Sequence, residues 1–225
     1  MISINKQIVY TSIILLFVII LFSITNVDYY IQNLFYDFEK ADWILDKNLQ
    51  PYRFIFYDGI KKILILIAII FLITLVFFKD NIVIKKYKKG LLIVVLSAIF
   101  IPLIIGGIKK YTNMPCPKNE QYYGGKMIKT AVWESYSPKY SKMPNIKCWP
   151  AGHASGGFAL LSLFFLFKTK RNKIISLYFA SIIGWSMGIY KMLIGDHFLS
   201  HTIITMLLAW LIILIIVNLI YNFKR

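Results

Sequence analysis

Long apolar runs separated by short charged connections make up most of the chain. A helix rises about 1.5 Å per residue and the hydrocarbon core of a bilayer is about 30 Å thick, so a spanning helix needs roughly 20 mostly apolar residues. Six runs meet or approach this length, and they predict an all-α bundle of six transmembrane helices. Their approximate bounds are Ile8–Thr25, Ile63–Phe78, Leu91–Ile108, Ala154–Phe167, Ile174–Leu193 and Thr202–Tyr221.

The composition supports a membrane protein, because 58% of the residues are hydrophobic and the mean hydropathy is +0.65. A soluble domain is much less apolar. The second and fourth runs are short, but Lys61 and Lys168 can extend them by placing their ammonium groups at the interface. The first run ends without a small-residue cleavage site, so we expect a retained span. Residues 1–225 are predicted to form a single membrane domain.

The density of basic residues beside the runs predicts the orientation of the bundle. Lysines and arginines crowd the connections at residues 79–89 and 168–173 and the tail at residues 224–225. These parts are predicted to be cytoplasmic. With six spans, both termini then lie inside, and residues 26–62 and 109–148 form the outer segments.

The first outer segment contains apolar residues at helical spacing, namely Ile31, Leu34, Phe35 and Phe38. This stripe predicts a helix that lies in the membrane interface, where an amphipathic helix buries its apolar side. The alternative is a helix that packs against the bundle.

The second outer segment is basic and predicts a surface that attracts anions. A solvated loop without a binding function is the alternative. Nucleic acid is not predicted as a partner, because the basic residues border membrane spans and no nucleic-acid-binding motif is present. Its only acids are Glu120 and Glu134, and its lysines are Lys109, Lys110, Lys118, Lys126, Lys129, Lys139, Lys142 and Lys147.

All three histidines of the chain lie at ends of apolar runs on the predicted outer face. Ionisable residues at the mouth of a helical bundle are expensive to bury and are functional candidates. His153 follows a Pro-Ala-Gly turn and opens the fourth run, where helix amides favour an anion such as phosphate. A structural histidine is the alternative for this position.

Three segments of the outer face combine these histidines with lysines at fixed spacings. They are Lys109 with Cys116-Pro117 after six residues; Pro150-Ala151-Gly152-His153; and Tyr190-Lys191 with His197 after five residues and His201 after three more.

In order and spacing, these segments resemble the three motifs of the PAP2 family of membrane phosphatases. The family motifs are lysine, six residues and arginine-proline; proline-serine-glycine-histidine; and serine-arginine, five residues, histidine, three residues and aspartate. The resemblance covers about Lys109 to His201. Within the family, the motifs of this chain resemble those of the lipid A phosphatase-like branch. The six-span layout extends it to the whole chain.

The resemblance implies a role for each matching residue. His197 would attack phosphorus and form a phosphohistidine, and His153 would protonate the departing oxygen. Lys109 and Lys191 would hold the phosphoryl oxygens together with the amides near Gly152, which stabilises the charge of the transition state. This chemistry requires no metal and no cofactor.

Four positions depart from the family pattern. The motif serine is absent, although the backbone amide at that position is retained. A lysine keeps the charge of the motif arginine in the third motif but lacks its planar fork. One cation of the first motif is missing unless Lys110, Lys118 or another lysine replaces it. The departing residues are Ala151, Lys191, Cys116 and His201.

The two cysteines lie in the first motif and beside the second. If the motifs converge on an oxidising outer face, Cys116 and Cys148 are predicted to form a disulfide. The alternative is two unpaired buried cysteines, and a cysteine nucleophile has no motif to support it.

His201 stands where the family has an aspartate beside the nucleophile. A neutral imidazole accepts a hydrogen bond but supplies no negative charge. Asp196 directly precedes His197 and would point to a different side. These departures leave a non-catalytic, lipid-binding pseudoenzyme as the alternative to an enzyme.

The resemblance implies a phosphatase that removes phosphate from a lipid phosphomonoester or diphosphate at the periplasmic face of a bacterial inner membrane. The phosphorylated lipid and the bilayer are the expected partners. Lipid A is the favoured substrate, with undecaprenyl diphosphate and phosphatidylglycerol phosphate as alternatives. A lipid phosphotransferase would use the same phosphohistidine.

Overall fold

A computed structural model describes residues 3–134 and 147–222, and these residues are mostly helical. Lys139, Lys142 and the basic pair at residues 224–225 lie outside the described residues. Two short antiparallel strands, β1 (Tyr36–Asp37) and β2 (Asp42–Trp43), form a hairpin. The helices are α1 (Ile4–Ile24), α2 (Val27–Gln32), α3 (Ile60–Phe77), α4 (Ile82–Tyr111), α5 (Gly152–Ala159), α6 (Leu163–Leu166), α7 (Lys170–Leu193) and α8 (Leu199–Asn222).

Among the described residues, five helical segments are long and apolar enough to cross a membrane, which fits a multi-pass membrane protein. They are α1, α4, α7, α8 and the segment Phe54–Phe77, in which a π-helical turn (Phe54–Gly59) leads into α3. Helices α1, α3, α7 and α8 match predicted runs to within a few residues, although the π-helical turn adds residues before α3. Helix α4 also starts earlier than predicted. That helix begins well before its apolar run, because the basic residues from Lys85 to Lys89 continue it as an additional amphipathic stretch.

The fourth predicted run forms a short, interrupted helix, so six full-length spans are not confirmed. The apolar helical stretch Gly152–Leu166 consists of α5, a 3₁₀ turn (Leu160–Ser162) and α6. At 1.5 Å per residue it is about 22 Å long, less than the hydrocarbon thickness. Ala154 and Phe158 are completely buried. Neighbouring helices surround this stretch, so its length need not match that of the bilayer.

The centre of the bundle is formed by α8 and α5. Helix α8 packs against α1, α4, α5 and α7, and α5 packs against α4, α7 and α8. A Cβ at Gly157 would lie 2.7 Å from the Cα of Gly184, so the backbones of α5 and α7 approach each other closely. Small residues permit such contacts between membrane helices. Ile93, Ile213 and Ala209 fill the core around them.

Helix α3 lies at the periphery of the bundle and buries none of its residues. It packs mainly against α4 and only slightly against α5. A cavity therefore separates α3 from α5.

The predicted interfacial helix is not confirmed, because α2 ends at Gln32. A 3₁₀ turn (Asn33–Phe35) and β1 follow it, so Ile31 lies in α2, Leu34 and Phe35 lie in the 3₁₀ turn, and Phe38 lies in the hairpin turn after β1. Helix α2 turns its polar residues inward: Asp28 is 5% and Gln32 0% exposed. Tyr30, by contrast, is 74% exposed. Polar contacts of Asp28 and Gln32, together with packing of the Tyr29 ring on Phe198, orient α2 against the rest of the protein.

Candidate active site

The loop between α7 and α8 carries His197, and His201 lies in the first turn of α8. Backbone hydrogen bonds fix the path of this loop: the N–H groups of Asp196 and His197 donate to the Lys191 carbonyl at 2.8 and 3.2 Å. Gly195 has a φ of +70°, in the left-handed region that glycine tolerates best. His197 is 2% and His201 0% exposed.

The two rings contact each other through their Nδ1 atoms, which lie 3.3 Å apart. A neutral imidazole carries one N–H, so one Nδ1 atom donates and the other accepts. Burial, and then the neighbouring His201 ring, hold the pKa of His197 well below its ordinary value. His197 is therefore neutral. With its Nδ1 against His201, its Nε2 is the atom left for chemistry.

His153 is the second residue of α5 and faces His197 with 6.4 Å between the ring centroids. The start of α5 is tied to α8, because the Ala151 N–H donates to the His201 carbonyl at 3.3 Å. The Thr205 hydroxyl donates to the Ala151 carbonyl, also at 3.3 Å. These bonds fix both histidine segments in one arrangement.

Two lysines lie beside the histidines. Lys109, in the last turn of α4, reaches the N-terminus of α5: a Cβ at Gly152 would lie 3.9 Å from the Lys109 Nζ. Lys191, in the last turn of α7, has a side chain that is only 8% exposed. Two cations and the amides at a helix N-terminus together can stabilise an oxyanion.

Asp196 points toward lysines instead of toward His197. Its Oδ2 lies 2.8 Å from the Lys191 Nζ, and its Oδ1 lies 2.6 Å from the Lys118 Nζ. Burial raises the pKa of Asp196, but the Lys191 charge and the hydrogen bonds from both lysines outweigh it, so the pKa is lowered. The carboxylate is ionised and joins two cations from different segments.

The predicted disulfide between Cys116 and Cys148 is confirmed, with 5.2 Å between the Cα atoms. It joins the end of the first motif to the second. The Cys148 Sγ lies 3.4 Å from the Asp196 carbonyl oxygen, and the Lys118 N–H donates to the Gly195 carbonyl at 3.0 Å. All three motif segments therefore meet at the loop that carries His197.

Residues from the N-terminal part of the chain also hold this loop. Asp28 accepts from the Ser200 N–H at 2.9 Å and from its hydroxyl at 2.5 Å. Gln32 donates to the Met192 carbonyl at 2.8 Å. Trp43 covers Gly195, since a Cβ there would lie 2.2 Å from the Trp43 Cε2. Asp28 and Gln32 were not predicted as site residues, although their i, i+4 spacing indicates one shared helix face.

The Asp28 carboxyl is buried next to a second buried acid, Glu120, which is 2% exposed. Burial raises the pKa of Asp28 to about 6 and that of Glu120 to about 7, although their hydrogen bonds from Ser200 and Tyr29 act in the opposite direction. Glu120 is therefore not a solvated acid of the outer loop. It belongs to a buried polar cluster that contacts the start of α8 through Asp28.

An apolar groove of about 560 Å³ lies between α3, α4 and α5 and reaches the site. His153 and Gly156 line its α5 side, while Lys61 and Leu72 mark its extent along α3. That stretch of helix is about 16 Å long at 1.5 Å per residue. The groove brings an apolar path from the membrane region to an imidazole.

The structure brings together five of the predicted site residues, with Gly152 beside them. Lys110 is exposed at the end of α4, on a different side from the half-buried Lys109. Of the two lysines named as replacements for the motif arginine, Lys118 contacts the loop through Asp196. The five residues brought together are Lys109, His153, Lys191, His197 and His201.

The arrangement agrees with a comparison against protein families. The family model of the PAP2 superfamily matches residues 90–225, which is more than half of the chain. Comparison with curated proteins finds no match, and comparison with solved structures finds none either. On the strength of the family match and the three motifs that meet at one site, the chain belongs to the PAP2 superfamily.

Proposed function

We propose that this protein is a membrane lipid phosphatase that works through a phosphohistidine on His197. Membership of the PAP2 superfamily indicates a phosphatase-type function. The observation that carries the proposal is the position of His197 and His153, which face each other with 6.4 Å between ring centroids. Lysines flank the pair, and the apolar groove ends beside it.

In the first half of the reaction, the Nε2 of neutral His197 attacks phosphorus, and the bond from phosphorus to the lipid oxygen breaks. His153, protonated when the negatively charged substrate is bound, gives its proton to that departing oxygen and becomes neutral, so the lipid leaves as an alcohol or a shorter phosphate. The His197 ring then carries a positive charge, and its Nδ1–H donates to His201.

In the second half, water attacks the phosphohistidine on the same phosphorus. His153 now accepts a proton from the water, the P–N bond breaks, and inorganic phosphate leaves with His197 restored. Lys109, Lys191 and the amides near Gly152 hold the equatorial oxygens throughout both displacements. In the transition state, negative charge is distributed over the equatorial phosphoryl oxygens. Its stabilisation by fixed positive groups is the main source of rate enhancement in phosphoryl transfer.

The apolar groove supports a lipid as the substrate. An aliphatic chain seated along α3 would bury apolar surface at about 25 cal/mol per Å² and would place its headgroup beside His153. Lipid A is our leading proposal, from the motif resemblance and the basic outer segment. Undecaprenyl diphosphate and phosphatidylglycerol phosphate are the other substrates to be tested, and a second lipid would receive the phosphoryl group in a phosphotransferase.

We propose that the site faces the periplasm of a bacterial inner membrane. The dense basic connections at residues 79–89 and 168–173 favour a cytoplasmic position for the opposite end of the bundle. The disulfide between Cys116 and Cys148 lies at the site end and supports an oxidising compartment there.

Phosphate release from a panel of these lipids in detergent micelles tests the function. His197→Ala is expected to remove activity, because no nucleophile remains, and His153→Ala to lower kcat by about 100-fold or more. Unchanged melting temperatures would show that both variants fold. A radiolabelled phosphoryl donor should leave acid-labile label on the wild type and none on His197→Ala. If the wild type releases no more phosphate than His197→Ala on every lipid, the protein is a non-catalytic relative.

A further inference from the structure

The first motif has Cys116 where the family has an arginine, and this cysteine is disulfide-bonded. Cys116 forms the disulfide with Cys148, so it offers no cation to a phosphoryl group. Two residues later, Lys118 extends its ammonium group to the Asp196 carboxylate at 2.6 Å. A positive charge from the same segment therefore reaches the loop that carries His197.

The backbone around Lys118 is fixed on several sides. The disulfide anchors the residue two positions before it. The Lys118 N–H donates to the Gly195 carbonyl at 3.0 Å, and Lys118 lies in a 3₁₀ turn, Pro117–Asn119. The Cα of Lys118 is therefore fixed next to the loop that carries His197.

The Asp196 carboxylate marks a position at which two cations converge. One of its oxygens contacts the Lys118 Nζ and the other contacts the Lys191 Nζ at 2.8 Å. An anion with several oxygens, such as a phosphoryl group, can be shared between cations in the same way. The Lys118 side chain is 38% exposed against 8% for Lys191, so it can shift toward a ligand without leaving water.

We propose, building on the phosphatase function above, that Lys118 binds a non-bridging phosphoryl oxygen together with Lys191, and that Asp196 is a positioning residue that aligns the two ammonium groups. Lys118 thereby replaces the missing arginine of the first motif. The disulfide supplies the rigidity that holds this substitute in place.

The inhibition constant of inorganic phosphate, a product of the proposed reaction, measures this role. Lys118→Ala is expected to raise that constant and the KM for the lipid by about tenfold, the effect of losing a charge-assisted hydrogen bond. Lys118→Arg keeps the cation and should stay within about threefold of the wild type. Lys126→Ala removes an exposed lysine of the same outer segment and should change neither constant.

Two results would overturn the role of Lys118: an unchanged inhibition constant in Lys118→Ala, or equal losses in Lys118→Ala and Lys118→Arg. A second readout separates this proposal from the phosphatase function. Inorganic phosphate should raise the melting temperature of the wild type more than that of Lys118→Ala, because a ligand stabilises the state that binds it. This comparison stands even if no lipid proves to be a substrate, and equal shifts would also contradict the proposal.

Discussion

The side chain at position 201 contributes, after burial, to the electrostatic environment of His197. The PAP2 motif has an aspartate there, and this chain has a buried imidazole 3.3 Å from the His197 Nδ1. A neutral ring orients His197 through a hydrogen bond, but it adds no negative charge to oppose the effect of burial on the His197 pKa. His197 therefore stays unprotonated, and able to attack, well below pH 6.5.

Introducing the carboxylate of the motif is expected to reverse this property. In His201→Asp an adjacent negative charge favours protonated His197 and raises its pKa. Protonated His197 cannot attack, so the acid limb of kcat/KM should move to higher pH by about one unit or more. His201→Asn, which accepts a hydrogen bond without charge, should keep the limb of the wild type. If the acid limb of kcat/KM has the same midpoint in His201→Asp and in the wild type, position 201 does not control the pKa of His197.

Motif spacing predicted most of the site at the level of residues. Lys109, His153, His197 and His201 lie close together because each is in or next to a terminal turn of a helix at the same end of the bundle. Lys118 was one of several lysines available to replace the arginine, and the sequence could not select it. The choice depends on how a loop folds back onto Gly195, a contact between distant segments that no local pattern encodes.

At the level of elements, the segment from α2 to β2 acts as an outer brace on the loop between α7 and α8. Asp28 and Gln32 hold the two ends of that loop by hydrogen bonds, and Trp43 covers its glycine. Apolar runs predicted the long helices well, because hydrophobicity and length are local properties. Apolar runs did not predict this brace, because its buried polar residues are stabilised by hydrogen bonds to a loop that is distant in sequence.

Gly195→Ala tests the brace. The new methyl group would overlap the Trp43 ring, and the φ of +70° is unfavourable for alanine, so the loop must shift. We expect at least tenfold lower kcat and a lower melting temperature. Gly106→Ala is the matched control, because a Cβ there meets nothing within 4 Å and α4 should gain about 0.5–1 kcal/mol from alanine. Equal activity in Gly195→Ala and wild type would contradict tight packing of Trp43 on the loop.

At the level of the whole molecule, the family match begins at residue 90, yet earlier residues complete the site. Asp28, Gln32 and Trp43 support the loop, and α3 forms one wall of the groove. We therefore propose that residues 1–225 act as a single domain. In this domain, the site formed by residues 90–225 depends on residues 1–89 for the support of its loop and for one wall of the groove.

The orientation of the molecule can be tested by cysteine labelling, because both native cysteines are in the disulfide. A membrane-impermeant maleimide applied to intact cells should label Lys126→Cys, in the outer segment. Lys85→Cys, in the basic stretch that begins α4, should react only after the membrane is permeabilised. Both native side chains are exposed, so access to each depends on the side of the membrane. The opposite labelling pattern would place the site in the cytoplasm.

The groove beside α3 determines which measure of substrate concentration should control the reaction rate. A lipid that reaches His153 through this groove arrives by diffusion within one leaflet, and its dephosphorylated product returns to that leaflet, while phosphate leaves into water. The relevant substrate variable is then the mole fraction of lipid in the membrane or micelle. Adding inert detergent at constant total substrate slows such a reaction by surface dilution, although the bulk concentration has not changed.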